Sequence, residues 1–422
     1  MKVSPLHVQR MAALLSKSND IVACNIYVSA GRQKHAEPLL NLLQSSQDLC
    51  RQIRTRNTEP ARLHNRIAIV HAYADGPYDR SSFHLAGHAD CVAQVASHLA
   101  IGSVDALAVS LLDTRSTNNS NDEDDDEDNT GESNSKSKHP LVGLVDHVSI
   151  MPLSRSPSAT VPVSVSVSPT TTSSTGTSTS IHQDNPQSEN EYVPPDAHGM
   201  AALSIADKLT HRGVQCYPYG TADVNNAPLA IVRKQKTSFF NSGGLSEYES
   251  ATSTSTSASA STSATSTTGT TDAYTATNAN TMGLGICTIG STPNFVENFN
   301  IRLTSNVSKK QAMTLTKKVR FKDGGVIGVE ALTLPYSEER YEVACNLLHP
   351  DVGSVESILK KMEEWIEEQQ QQGDRSREYY IDEAYRVGTT LEQCTGVLDH
   401  EEEGFKVHDA EVLERFRIYL GG

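Results

Sequence analysis

The sequence predicts an α+β protein made of two units with the same order of elements, β-α-β-β-α-β. Short apolar runs alternate with helical segments, and this order occurs both in the first part of the chain and in its last third. It is the split arrangement of ferredoxin-like units. Two such units, each with helices on one side of its sheet, would leave two sheet faces free to oppose each other, and a ligand cleft is expected there.

The first unit begins with a strand in IVACNIYVSAG (21–31), and a helix with an apolar face from Leu39 to Leu49 follows. RIAIVHAYAD and RSSFHLAG read as two neighbouring strands because the turn signal DGPYD joins them. A second helix starts at Asp90. The strand GLVDHVSIMPL, a helix that ends at Gly213 and the strand VQCYPY complete the unit.

The second unit follows a tract rich in Ser and Thr. The segment GICTIGSTPNFVENFNIRL is predicted to form strand. A helix is predicted to begin at Ser308, because Gln311 three positions on completes the pattern of a capping box. GVIGVEALTL and YEVACNLL predict two more strands, SVESILKKMEEWIEEQQQQ a long amphipathic helix, and DEAYRVG a closing strand.

Low-complexity segments interrupt these units, and their composition is typical of disorder because they lack the apolar surface that would offset the entropy of ordering. We therefore predict an N-terminal subdomain at 20–240 with disordered insertions at 113–138 and 154–197, a disordered linker at 242–279, a C-terminal subdomain at 281–398 and a tail at 399–422 without assigned function.

Charge and cysteine usage exclude several classes of protein. The formal net charge is −15, of which residues 122–128 contribute seven negative charges, and the basic residues are scattered, which argues against nucleic-acid binding. The seven cysteines are spread singly and read as reduced core thiols of a cytoplasmic protein. No apolar run is long enough for a membrane span. The first 20 residues fit an organelle transit peptide or an ordinary first helix, and the helix is preferred.

Few motifs carry chemistry. GLGICTIG is not a dinucleotide fingerprint, and no P-loop or nucleophile elbow is present. His84 and His88 could bind zinc only on a helix, whereas the local pattern predicts the end of a strand with the two rings on different faces, so no metal is expected. His139 precedes Pro140, which forces it into an extended conformation at the mouth of a strand, where it could act as an acid and base or lie exposed in a loop.

Several stretches together resemble the formiminotransferase family, the folate-dependent part of formimidoyltransferase-cyclodeaminase, in a stand-alone form without the cyclodeaminase half. The matching segments occur in the family's order: NIYVSAGR, DGPYDRSSFHLAG, the signature formed by His139, Pro140, Gly143 and Asp146, then YPYGTAD, NFNIRL and GVEALTLPYSEERYEVACNLL. The resemblance implies two ferredoxin-like subdomains with tetrahydrofolate, as co-substrate, between facing sheets. It implies transfer of a formimino group from N-formimino-L-glutamate to tetrahydrofolate, a step of one-carbon metabolism and histidine degradation.

The resemblance also implies roles for individual residues. His139 matches the catalytic histidine, and Asp75 lies where the family keeps the carboxylate that orients it. Arginines are expected to hold the carboxylates of both ligands, because a guanidinium is a bidentate donor. The folate- and substrate-binding residues implied are Arg80, Arg233, Asp146, Gly283, Gly285 and Asn300, with Arg32 and Lys138 as weaker candidates.

Two positions depart from the family pattern, since Lys138 and Leu141 stand where the family has Glu and Arg. Loss of that arginine removes a cation beside the proposed base. The alternative is therefore a folate- or pterin-binding protein of the same fold with impaired catalysis. The partners expected are small molecules, without nucleic acid or membrane, and a homodimer is left open.

Overall fold

The computed structural model describes residues 20–56, 65–117, 142–153, 196–237, 285–336, 340–371 and 377–421. These residues form a mixed α+β structure with one six-stranded and one four-stranded sheet. The predicted linker 242–279 and most of the two predicted insertions lie outside the described residues. The first insertion was expected to begin at 113, but helix continues to Thr117.

The first sheet contains six strands in the order β2-β3-β1-β4-β6-β5. β1 pairs antiparallel with β3 and β4, whereas β4, β6 and β5 are parallel. The strands are β1 Ile21–Val28, β2 Ile67–Asp75, β3 Arg80–His88, β4 Val145–Pro152, β5 Gln215–Tyr219 and β6 Ile286–Ser291.

Helices cover one face of this sheet. α1 Ala36–Arg54 packs on β2, α2 Ala89–Thr117 on β1 and β3, and α3 Ala197–His211 on β4, β5 and β6. Alternate strand residues such as Ile26, Phe83 and Ile150 point to this side and are fully buried. The short helix α4 Leu229–Lys236 follows β5 and carries Arg233. This face is an ordinary aliphatic core.

The second sheet has the order β10-β7-β9-β8, and all its pairs are antiparallel. Its elements run β7 Glu297–Leu303, α5 Lys309–Val319, β8 Val329–Pro335, β9 Tyr341–Leu347, α6 Val355–Gln370 and β10 Ile381–Arg386. The capping box predicted at Ser308 and Gln311 is confirmed. α5 and α6 bury one face of this sheet around Trp365.

Two findings revise the predicted boundaries. β6 was expected to belong to the second unit, which was placed from 281, but it inserts between β4 and β5 of the first sheet, so the second sheet starts with β7 at Glu297. Helix α7 Leu391–Leu398 ends the segment predicted as the C-terminal subdomain, and the segment predicted as a tail forms helix α8 Glu402–Tyr419. α8 packs on β2 and α1, and the ring of Phe416 lies 5.5 Å from that of Phe83.

The free faces of the two sheets contact each other. At one end the free face of the first sheet is apolar and is covered from outside the second sheet, because Ala23, Ala86 and Met151 belong to one cluster with Phe295, which precedes β7, and Leu398 of α7. At the other end it is polar: the hydroxyl of Tyr27 donates to Asn298 Oδ1 at 3.3 Å, and that of Tyr78 to Glu342 Oε1 at 3.1 Å. The polar end contains most of the described residues to which the sequence assigns function.

Candidate functional site

Two rows of polar and aromatic side chains cross the free face of the six-stranded sheet. They arise because these strands alternate apolar residues, which face the helices, with residues that face the second sheet. The strand register gives one row as Tyr73, Ser82, Tyr27, His147 and Thr288. The other row is His71, His84, Asn25, Ser149, Gly290 and Tyr219.

His147 lies between two tyrosines. Its ring stacks on Tyr27 at 5.7 Å and on Tyr219 at 5.6 Å between centroids. Its Nδ1 lies 3.1 Å from the carbonyl oxygen of Thr288, which can only accept, so Nδ1 carries the proton and Nε2 keeps its lone pair. Burial, and next the charge of Arg233, holds the pKa of His147 well below its usual range. His147 is therefore a neutral imidazole at physiological pH.

Beside this stack, two arginines surround one buried aspartate. Arg80 donates to Asp146 at 2.6 Å, and Asp146 is 2 % exposed. Burial raises the pKa of Asp146 even though Arg80 and Arg233 act to lower it, and burial lowers the pKa of Arg233. Both guanidinium charges act on the Asp146 carboxylate, so positive charge is concentrated at this part of the sheet.

The opposing sheet contributes a buried carboxylate, Glu342. It accepts hydrogen bonds from Asn300 Nδ2 at 2.7 Å, from the Tyr385 hydroxyl at 2.7 Å and from the Tyr78 hydroxyl at 3.1 Å. Arg302 Nε lies 3.7 Å from it. Burial raises the pKa of Glu342, whereas the donated hydrogen bonds and Arg302 oppose that rise. The network joins the β2–β3 turn to the second sheet.

Arg302 is held in place by two aromatic rings. Its guanidinium carbon lies 4.4 Å from the ring centroid of Tyr336 and 4.8 Å from that of Tyr385, distances at which cation–π attraction operates. It also donates to the Tyr385 hydroxyl at 2.9 Å. Arg302 is therefore fixed on the second sheet, where it also donates to Glu383 at 2.9 Å.

Asp75 stands at the end of β2 between these groups. It is 7 % exposed and accepts from the backbone N–H of Tyr78 at 3.2 Å and from the Tyr73 hydroxyl at 3.4 Å. Burial raises its pKa, with the hydrogen bond from Tyr78 and the charge of Arg302 acting against that. Among the described residues its contacts brace the turn. Its role as the carboxylate that orients a histidine stays a prediction, because His139 lies outside the described residues.

The other residues assigned from the sequence fall into three groups. Arg80, Asp146 and Arg233 come together in the gap, as described above. Asn300 is bound to Glu342, and Arg32 pairs with Asp79 at 3.4 Å at the edge of the β2–β3 turn. Lys138, His139, Pro140, Leu141 and Gly283 lie outside the described residues.

Gly285 lies where two backbones approach each other closely at the entry to β6. It adopts φ +83°, and an added Cβ would come within 2.4 Å of the Cα of Gly143, with which it forms an isolated bridge. A side chain at either position would push β4 and β6 apart at the polar end of the sheet. Close packing of two backbones accounts for Gly285 without a ligand.

His84 and His88 both lie in β3. The prediction that their rings lie on different faces of the strand is wrong. Residues four apart in a strand share a face, and about 13 Å of chain separates them. His84 is fully buried, with Nε2 3.0 Å from Ser82 Oγ, and its Nδ1 has no hydrogen-bond partner among the described residues. Burial, and next the charge of His71, keeps the pKa of His84 well below its usual range.

Sequence reasoning missed several members of the site, namely Tyr27, His71, His147, Tyr219, Arg302 and Glu342. The signal was present in the strict alternation of CNIY, where Asn25 and Tyr27 interrupt apolar residues, and of NFNIRL, which places Asn298, Asn300 and Arg302 on one face. When both faces of a strand are buried and one of them carries aromatic and polar side chains, that face is a candidate ligand-binding site.

A scan of protein-family models and a search of curated proteins find no match to this chain. None of the described helices combines the length and apolar character needed to cross a membrane. Within the described ranges, no three His, Cys, Asp or Glu side chains are grouped so as to hold a metal ion.

Proposed function

We propose that the chain is a folate-dependent formimidoyltransferase that moves a formimino group from N-formimino-L-glutamate to tetrahydrofolate, a homologue of the formiminotransferase family it resembles in sequence. The observation that carries the proposal is the buried polar face of the six-stranded sheet, where Arg80 and Arg233 lie close to the Tyr27, His147 and Tyr219 rings.

The architecture supports the proposal at a finer level. In both sheets the chain runs β-α-β-β-α-β, and the four strands of this unit lie side by side in the order fourth, first, third, second. The first sheet contains them as β4-β1-β3-β2 and the second as β10-β7-β9-β8. This supports two ferredoxin-like subdomains, with β5 and β6 added to the edge of the first. It leaves one face of each sheet free of helices, and we propose that the ligand binds between these two faces.

The chemistry of the gap suits the proposed ligands. Tetrahydrofolate and formiminoglutamate both carry carboxylates, and a guanidinium binds a carboxylate through two parallel hydrogen bonds. Arg80, Arg233 and Arg302 supply positive charge, while neutral histidines and tyrosines line the same space. A flat heterocycle with donor and acceptor edges would fit such a lining, since aromatic walls combined with a few fixed polar groups are typical of cofactor sites.

The proposed reaction needs one proton acceptor that becomes a donor. N5 of tetrahydrofolate attacks the formimino carbon, His139 removes the proton of that nitrogen, and the tetrahedral adduct collapses when His139 returns a proton to the departing glutamate nitrogen. Such a group typically contributes about a hundred- to ten-thousand-fold in rate. Asp75, at the end of β2, is proposed to orient the imidazole.

A second candidate is a folate- or pterin-binding protein of the same fold without turnover. Leu141 favours it, because the family has an arginine there that would place a cation beside the base. Under this alternative the gap between the sheets binds the ligand but His139 has no catalytic role.

The test combines tetrahydrofolate binding by calorimetry with a formimino-transfer assay on the full chain and on His139→Ala. We expect binding by both proteins and a loss of at least about a hundredfold in turnover for the variant. His211→Ala is the matched control, because His211 is largely exposed on α3, and it should behave as the unmodified protein. Binding without turnover by the unmodified protein selects the second candidate, and absence of binding contradicts both.

A further inference from the structure

Two of the seven cysteines are neighbours in the fold although 70 residues separate them. Cys216 on β5 is the direct register partner of Cys287 on β6 in a parallel strand pair. Their side chains point to the same face, towards α3. No other register pair among the described strands joins two cysteines.

The spacing suits a disulfide. Neighbouring strands lie about 4.8 Å apart, which falls inside the range of about 4.4 to 6.8 Å observed between the Cα atoms of disulfide-bonded cysteines. Bonds between directly adjacent strands depart from the preferred geometry, and strained disulfides are the readily reduced ones. A bond at this position would therefore form and break rather than act as a permanent staple.

The two thiols also differ in the way that an oxidant-sensing pair requires. β5 is the outer strand of its sheet, and Cys216 is half-buried, whereas Cys287 is fully buried. The neighbouring thiol of Cys287 lowers the pKa of Cys216, with Thr210 adding to that effect against burial. Reactive cysteines combine thiolate character with access to solvent and stand next to a resolving thiol.

From this geometry we infer that Cys216 and Cys287 form a reversible redox site, in which Cys216 reacts with a peroxide and Cys287 resolves the product. The thiolate of Cys216 attacks one peroxide oxygen, the O–O bond breaks, and the departing hydroxide takes up a proton to leave as water. The sulfur of Cys287 then attacks the sulfur of the Cys216 sulfenic acid, and an S–S bond forms. The hydroxyl of the sulfenic acid leaves together with the Cys287 proton as a second water. Two thiols are oxidised to one disulfide while one peroxide is reduced to two waters.

The bond would clamp the two strands that carry Tyr219 and Thr288. Thr288 follows Cys287 directly and fixes the His147 ring, and Tyr219 stacks on the same ring. The oxidation state of the pair is thereby linked to the side chains that line the gap. This inference rests on the strand register and the thiols alone and does not depend on the proposed activity.

The test treats the full chain with hydrogen peroxide, blocks the remaining thiols with N-ethylmaleimide and identifies linked peptides by mass spectrometry without reduction. We expect a link between Cys216 and Cys287 within one molecule, reversed by dithiothreitol. Cys91 is the internal control, because it is 8 % exposed and burial raises its pKa to about 11. Cys216 should be lost at least about tenfold faster than Cys91.

Two variants make the outcome decisive. Cys287→Ser should stop at the sulfenic acid of Cys216, trapped by dimedone, and Cys216→Ser should leave Cys287 as a thiol. Equal rates at Cys216 and Cys91, a link to another cysteine, or a link only between molecules would overturn the inference. Circular dichroism of both variants establishes that they are folded before oxidation, and an unmodified far-UV spectrum is the expected result.

Discussion

The two faces of the six-stranded sheet are both buried, yet they are built from different residues. The helix-covered face carries aliphatic and phenyl side chains such as Ile26, Phe83 and Ile150, each fully buried. The opposite face carries Tyr27, His84 and His147 in the same strands. An aliphatic face stabilises the fold through burial alone, whereas buried polar groups cost stability unless every donor and acceptor is paired.

This difference indicates which face serves the fold and which serves function. On the polar face, burial lowers the pKa of His147 and raises the pKa of Asp146, so both charged forms are disfavoured there. Such a lining would be replaced by leucine if stability alone mattered. Substitutions on the two faces should therefore differ in the size of their effect on the free energy of unfolding and in how that effect depends on pH.

The largest effect is expected on the aliphatic face. Phe83→Ala removes a fully buried ring packed 5.5 Å from Phe416, and we expect a loss of about 4 kcal/mol in the free energy of unfolding, measured with urea. Met313→Ala is the control, because Met313 is 46 % exposed on α5 and should cost under about 1 kcal/mol. A loss below about 1 kcal/mol for Phe83→Ala would contradict the assignment of this face as core.

On the polar face, Arg80→Met leaves Asp146 without its closest cation, and we expect a loss of about 3 kcal/mol at pH 7. Because the folded pKa of Asp146 is raised, its protonated form is the one favoured by folding, so the deficit should shrink as the pH falls. Arg80→Met combined with Asp146→Asn should recover part of the loss. A double variant less stable than Arg80→Met would show that the two residues are not a pair.

A pH series probes the buried histidines. Burial, followed by Arg415 and His408, lowers the pKa of His71 to about 4, so folding favours its neutral form. Its contribution is complete above pH 6.5 and is lost as the pH falls towards 4, by about 2 kcal/mol at pH 4.5. His71→Gln should lack this loss. His211→Gln, at an exposed position, should follow the unmodified protein, and identical curves for all three would exclude the effect.

The smallest effect concerns the Thr288 hydroxyl, which lies beside His147. Thr288→Val keeps the shape of the side chain but removes the hydroxyl 3.0 Å from Nδ1, and we expect a loss of about 1 kcal/mol in urea unfolding. Thr314→Val removes an exposed hydroxyl from α5 and should cost less than half as much. Equal costs at the two positions would mean that the bond to His147 contributes nothing measurable.

Much of the local structure could be predicted from the sequence, because strands, turns and caps depend on neighbouring residues. The β2–β3 turn and the capping box at Ser308 are examples that the structure confirms. The position of β6 could not be predicted, since its partners β4 and β5 lie far away in sequence and any parallel edge accepts an apolar strand. The packing of α8 on β2 was missed for the same reason.

The candidate site could be predicted only in part. Arg80, Asp146 and Arg233 were assigned from the family resemblance and do converge, although their sequence positions carry no sign of it. The stack at His147 and the network at Glu342 depend on register and on which sheet faces which, and these are tertiary properties. Alternation within a strand identifies the residues on a face but not what lies opposite.

The measurement that tests the central claim most directly is calorimetric titration of tetrahydrofolate into the full chain and into Arg233→Met. If the gap between the sheets binds the carboxylate-bearing ligand through its arginines, the unmodified protein binds one equivalent and the variant binds at least about tenfold more weakly. Arg417→Met, at an exposed position on α8, should bind as the unmodified protein does. No heat of binding, or equal affinity for all three proteins, would contradict the account.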